Sequence, residues 1–203
     1  RESRSGCIVF STTIMTMPTG LHLTHGGSSA VCGHDVVRDA IPARSCVGYL
    51  PESAPLYDDL TVTEYLEFVC GARGLVATAA SAAMERVVTR CGLESVVNRP
   101  IAELSKGFRQ RVGLAQALVH DPEVVILDEP TSGLDPNQIR EVRSIIRELG
   151  SSRTVMLSTH ILSEVEALCD RVLILDRGRI VARGTPEEIS GELAGRIVVA
   201  ATV

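Results

Sequence analysis

Two acids end an apolar run in this 203-residue chain: Val124-Val125-Ile126-Leu127, then Asp128-Glu129. The run reads as a buried strand, and α/β folds place ligands beside the carboxyl ends of their strands. A carboxylate there can polarise an attacking water as a general base. Alone, the pair reads equally as a surface turn after any strand. Leu104-Ser105-Lys106-Gly107 is a second candidate. The free N–H groups of a helix start plus a serine hydroxyl make an anion site, and Gly107 lets another backbone come close. Alone, it is an ordinary serine cap. His160 follows the apolar strand TVMLST. A lone histidine is more often structural, but this one stands one strand after the acid pair. Glu52 follows Pro51 and reads alone as a solvated acid. Asp135 can cap a helix with Pro136 at its first position.

These residues need a scaffold, and the texture of the chain supplies one. Residues 29–33 and 45–50 read as short core strands. From Tyr57 the pattern turns helical. Thr61 and Glu64 open a helix whose apolar face continues through Leu66, Val69 and Cys70. Residues 81–91 form a second helix, with Met84, Val87, Val88 and Cys91 on one side and Gly92 as its stop. A third helix follows Ser105. The α/β texture returns with the strand Val124–Asp128. A helix follows from Pro136 to Gly150, burying Ile139, Val142, Ile145 or Ile146, and Leu149. The strand at 154–159 leads to a short helix at 161–169 with Leu162, Val165 and Leu168 inward. Residues 171–184 close as a hairpin turning at Asp176-Arg177-Gly178. The expectation is a three-layer α/β domain.

The composition narrows the classes. A net charge of −5 provides no basic field for nucleic acid. No apolar run approaches the roughly 18 residues of a spanning helix. Six cysteines include no C-x-x-C pair, so reduced, mostly buried thiols are expected rather than zinc or disulfides. The chain opens Arg1-Glu2-Ser3, with its first methionine at Met15. That start reads as a truncation or a displaced reading frame.

Taken together, LSKGFRQRVGLAQALVHDPEVVILDEPTSGLDP at 104–136 resembles the ATP-binding domain of ABC transporters. The L-S-K-G-x-x-Q-R form is similar to exporters of the ABC-2 type. The resemblance covers about residues 11–192. It implies a P-loop NTPase-like three-layer α/β core at 1–54 and 122–203, with a helical subdomain insert at 55–121. It implies ATP and Mg²⁺ as cofactors, with Asp128 on the metal through its water shell and Glu129 as the base. His160 becomes the switch histidine at the γ-phosphate. Glu52 stands where the family commonly has a glutamine near the metal and water. Ser105 and Gly107 form the signature that completes a partner's ATP site, and Asp135 lies in the loop crossing between the two sites. The implied partners are a second such domain and membrane-spanning permease subunits, met near Tyr57 and Leu60. The implied place is the cytoplasmic face of the cell membrane, where the chain sits peripherally as a transport-coupled ATPase.

One part of the pattern is missing. The phosphate loop G-x-x-x-x-G-K-[ST] is absent, and no Gly-Lys pair occurs anywhere. Ser11-Thr12-Thr13-Ile14 looks like the start of the helix after that loop, which assigns Ser11 and Thr12 to phosphate and Ser11 to the metal. Phe10 then stands where the lysine belongs. Losing the lysine charge and the loop N–H donors should cost several kcal/mol of nucleotide binding, at about 1.5–3 kcal/mol per charge-assisted bond. The alternative is therefore a non-hydrolysing domain that acts only as a partner subunit. A soluble ABC protein acting on ribosomes or DNA is a further alternative, which the acidic balance and the lack of tandem domains disfavour.

Overall fold

The computed structural model describes Met15, Thr19, residues 26–176 and residues 179–193. Its centre is a parallel sheet of three strands, β3 (Val47–Leu50), β4 (Val124–Asp128) and β5 (Thr154–Ser158), in that order. The register sets Leu50 beside Leu127, and Asp128 beside Ser158. All three strands therefore end at one edge, where Asp128 stands.

Alternation along β4 explains why its sequence is apolar throughout. Val125 and Leu127 point into a large core with Leu50, Val155 and Leu157. Ile126 points the other way, to Met15, Val31, Val36, Ala43 and Val47. Both faces are covered, so no position in the strand can be polar until its end.

The large core is closed by helices. These are α2 (Val62–Ala72), α3 (Ala77–Cys91), α4 (Lys106–Leu118) and α5 (Pro136–Gly150). Thr61 caps α2 through a reciprocal box. Its hydroxyl accepts from Glu64 N–H at 3.3 Å, and the Glu64 carboxylate accepts from Thr61 N–H at 2.8 Å. α5 buries Val142, Ile145, Ile146 and Leu149, as its spacing requires, while Ile139 is half-buried.

Several elements depart from the sequence expectations. Residues 29–33 are no single strand. β1 (Ala30–Val31) and β2 (His34–Asp35) form a tight antiparallel hairpin, because Cys32 and Gly33 both take positive φ, 52° and 83°. A helix not foreseen, α1 (Ala40–Ser45), precedes β3. α3 starts at Ala77 rather than 81, since alanines carry helix propensity without apolar periodicity. In α6 (Leu162–Leu168) Leu162 is 61% exposed, and Glu164 takes the inward place. β6 (Val172–Asp176) and β7 (Arg179–Gly184) form the expected antiparallel hairpin, and α7 (Pro186–Leu193) follows. The turn residues Arg177 and Gly178 lie outside the described residues. Cys32, Cys46, Cys70 and Cys91 are free thiols. Cys169 is disulfide-bonded, against the expectation of reduced thiols throughout. Among the described residues, no helix is long and apolar enough to cross a membrane.

Candidate functional site

The acid pair is built by the sheet register. Asp128 is 1% exposed, and the Ser158 hydroxyl across the ladder donates to its Oδ1. The next residue, Glu129, has φ 46°, the left-handed region that costs a non-glycine residue about 1–3 kcal/mol. Two contacts hold it there. Its N–H donates to the Ser158 carbonyl and hydroxyl oxygens, each at 3.2 Å. The sharp turn swings the Glu129 carboxylate off the strand line toward the loop after β5. There Oε1 lies 2.9 Å from His160 Nδ1. Oε2 is buried and accepts no hydrogen bond from any described residue.

The His160 side chain is 74% exposed, whereas that of Glu129 is 17% exposed. The Glu129 hydrogen bond and then its charge raise the imidazole pKa above its usual value. The charges of Glu164 and Glu52 add to this, against a small desolvation in the opposite sense. Glu52 is exposed and follows β3, so acids from two strand ends and from α6 act on one histidine. The Asp128 charge also raises the Tyr49 pKa, adding to the effect of burial.

Glu164 has no counterpart in the sequence reading. It is fully buried. It accepts from the Thr131 hydroxyl, from the Thr159 hydroxyl at 2.8 Å, and from Arg143 at 3.4 Å. Thr131 lies two residues after Glu129, and Thr159 immediately precedes His160. One carboxylate thus ties together the turns that carry the base candidate and the histidine. A sequence signal existed: Glu164 shares a helical face with Leu168, four residues on, where an apolar residue is the norm.

The remaining candidates lie apart. Ser105 caps α4, with its hydroxyl accepting from Phe108 N–H at 3.4 Å. Asp135 caps α5, with Oδ1 accepting from Asn137 and Gln138 N–H groups at 2.9 and 3.0 Å. These two helix starts touch. A Cβ on Gly107 would strike the Gln138 side chain, and one on Gly133, at φ 66°, would strike the Lys106 ammonium. Among the described residues, no hydrogen bond or ion pair joins Ser105 or Lys106 to Asp128, Glu129 or His160. Ser11, Thr12 and Phe10 lie outside the described residues.

This arrangement defines a class. A family model described as "ABC transporter" matches residues 11–132, and the chain belongs to that family. An uncharacterized ABC transporter ATP-binding protein of Synechocystis is 37% identical over 196 residues, covering 93% of this chain and 53% of its own length. A probable multidrug ABC transporter ATP-binding protein of Escherichia coli is 37% identical over 183 residues, covering 90% and 32%. A daunorubicin resistance ATP-binding protein of Streptomyces coeruleorubidus is 37% identical over 185 residues, covering 91% and 58%. The chain thus spans from about a third to somewhat over half of these relatives. A solved ATP-binding subunit of an ABC transporter superposes with a TM-score of 0.82 at 28% identity, over 96% of this chain and 84% of its own. The expected α/β fold of the P-loop NTPase kind is the fold observed.

Proposed function

We propose that the domain binds ATP with Mg²⁺ and hydrolyses it to drive a solute outward across a membrane. The observation that carries this reading is the contact of Glu129 with His160, directly after the buried Asp128. The buried, unsatisfied Glu129 Oε2 fits a site that receives a cation or a water rather than a protein donor. Adjacent carboxyl groups suit Mg²⁺, a hard ion that prefers oxygen ligands and keeps several waters. When bound, Mg²⁺ would neutralise charge on the phosphates. Asp128 would hold that ion, with Ser11 as a further ligand and Thr12 on phosphate. Glu129 would take the proton of the attacking water, His160 would orient Glu129 and meet the terminal phosphate, and Glu52 would approach the same water.

Ser105, Gly107 and Asp135 would serve the site of a second copy. Among the described residues, no hydrogen bond joins Ser105 or Lys106 to Asp128 or Glu129 of the same chain, which supports this. The proposed division is a core at 1–54 and 122–203 with a helical insert at 55–121. Permease subunits would dock near Tyr57, which is 51% exposed and stacks against Phe68, also 51% exposed. Such docking places the domain peripherally on the cytoplasmic face. Relatives named for multidrug transport and daunorubicin resistance support outward movement.

The test is hydrolysis by the chain once a glycine-rich loop ending in Gly-Lys precedes Ser11. Glu129→Gln should cut turnover by about 10²–10⁴-fold while nucleotide still binds, since the amide cannot accept a proton. Unchanged turnover would rule out Glu129 as the base. Mixing a Ser105→Arg chain with a phosphate-loop knockout should restore activity from two inactive proteins, because one of the two composite sites is then intact.

A further inference from the structure

The opposite edge of the sheet brings together three donors that the nucleotide chemistry does not use, one of which, Cys46, also packs against the smaller core. Cys32 sits in the β1–β2 turn, Cys46 lies between α1 and β3, and Glu123 immediately precedes β4. Their sulfur and carboxylate oxygen atoms lie within 4.8 Å of one another. Two of the three ride on backbone fixed by the sheet. The Cys46 carbonyl accepts from Val124 N–H at 3.0 Å, and the Glu123 carbonyl accepts from Thr154 N–H at 3.2 Å. Cys32 is exposed at the surface, Cys46 is half-buried and Glu123 is exposed, so an ion has a direct path in.

We propose that Cys32, Cys46 and Glu123 bind a thiophilic divalent cation of the Zn²⁺ type, with one position left to water. Zinc takes thiolates at about 2.3 Å and carboxylates at about 2.0–2.2 Å in a tetrahedron, which sets neighbouring donors roughly 3.8 Å apart. Small side-chain rotations close the observed spread to that value. Two sulfurs beside one oxygen select zinc over magnesium or calcium.

A dication is attracted by donors crowded this closely and releases the thiol protons on binding. It would also pin the β1–β2 hairpin to the start of β3 and β4.

The test titrates the 203-residue chain with Zn²⁺ against a chromogenic chelator, under a non-thiol reductant, with Co²⁺ as an optical probe of thiolate ligation. One Zn²⁺ per chain is expected. Cys32→Ser or Cys46→Ser should weaken it by at least about 100-fold, and Glu123→Gln by about 10-fold. Cys70→Ala should leave it unchanged. Zn²⁺ should also raise the melting temperature of the parent chain and not that of Cys32→Ser. Cys32 and Glu123 are exposed, so these two variants test the site without opening the core. Three results would overturn the proposal. One is no uptake at micromolar Zn²⁺. Another is equal uptake by Cys32→Ser and Glu123→Gln, which would move the ion to other donors. The third is a Cys32–Cys46 disulfide in air with no Zn²⁺ taken up by the reduced chain.

Discussion

Two histidines stand at opposite ends of the same three strands, and their environments shift them in opposite directions. At the carboxyl end, His160 is exposed and its pKa is raised, first by its hydrogen bond to Glu129 and then by carboxylate charge. At the amino end, burial and then the charge of Arg73 lower the His120 pKa to about 4, against a smaller raising effect of its Val47 hydrogen bond and of Asp121. The His120 Nε2–H donates to the Val47 carbonyl at 3.0 Å. Beside it, Arg153 donates to the Pro122 carbonyl at 3.0 Å and pairs with Asp121 at 3.1 Å. The amino-end strand termini near His120 are thus met by the chain's own donors, an imidazole and a guanidinium. Both ends carry a left-handed residue, Asp121 at φ 56° and Glu129 at φ 46°, and buried atoms with no partner among the described residues. The carboxyl end differs in gathering carboxylates around its histidine. A parallel sheet makes both ends from the same residues in register. What separates them is which charges the loops bring in.

The largest expected effect falls on the device that knits the carboxyl end. Glu164→Ala would leave the Thr131 and Thr159 hydroxyls without their acceptor and Arg143 without its counter-charge. Removing one partner of such a buried network costs about 3–5 kcal/mol, well above an exposed pair such as Arg90–Glu148 at 3.1 Å. Urea denaturation measures both. If Glu164→Ala cost no more than Glu148→Ala, the contrast between a knit carboxyl end and ordinary surface would be lost.

The legibility of the sequence divides along the same line. The β4 run with its acids, the Thr61 cap and the Asp135 cap were readable, because each is local. The strand needs only its own apolar residues, and a cap needs only a side chain and the N–H groups two or three residues on. The features that remained hidden are assembled from distant segments. Glu164 is buried because Thr131, Thr159 and Arg143 converge on it from three other places in the chain. Reading Leu162 as inward followed apolar periodicity, which cannot register a carboxylate supplied with three donors. The Cys32, Cys46 and Glu123 cluster shows no metal-site spacing, since its members meet only after the hairpin folds back onto the sheet edge. The left-handed turn at Glu129 is likewise enforced by Ser158 from the neighbouring strand.

The amino end should reveal itself in acid. The folded-state pKa of His120 is about 4, below the 6.5 of an ordinary imidazole. The unfolded chain therefore takes up this proton first. The contribution is fully present above pH 6.5 and is lost as pH falls toward 4. The ring is half-buried, so screening leaves about 1–2 kcal/mol. His120→Gln keeps a donor toward the Val47 carbonyl and does not titrate. Its stability measured by chemical denaturation at pH 7, 5.5 and 4 should therefore fall less steeply than that of the parent chain. Parallel curves would remove His120 as the source of acid sensitivity at this end.

The smallest effect belongs to His160, and its sign is opposite. With a folded pKa raised above 6.5, the imidazolium paired to Glu129 stabilises the fold fully below the unfolded pKa. That contribution disappears as pH rises through the raised value. The side chain is 74% exposed, so the effect on stability is small, and the titration of the ring itself is the better observable. Proton NMR should place the His160 pKa above that of a free imidazole. Glu129→Gln removes the carboxylate responsible for the first two causes of the shift, so the value should drop toward 6.5, with only the Glu164 and Glu52 charges left to hold it up. His120 should not move in that variant, because the length of the sheet separates it from Glu129. An unmoved His160 would mean that the 2.9 Å contact does not persist in solution, and the carboxyl end would then lose the pairing that sets it apart from the amino end.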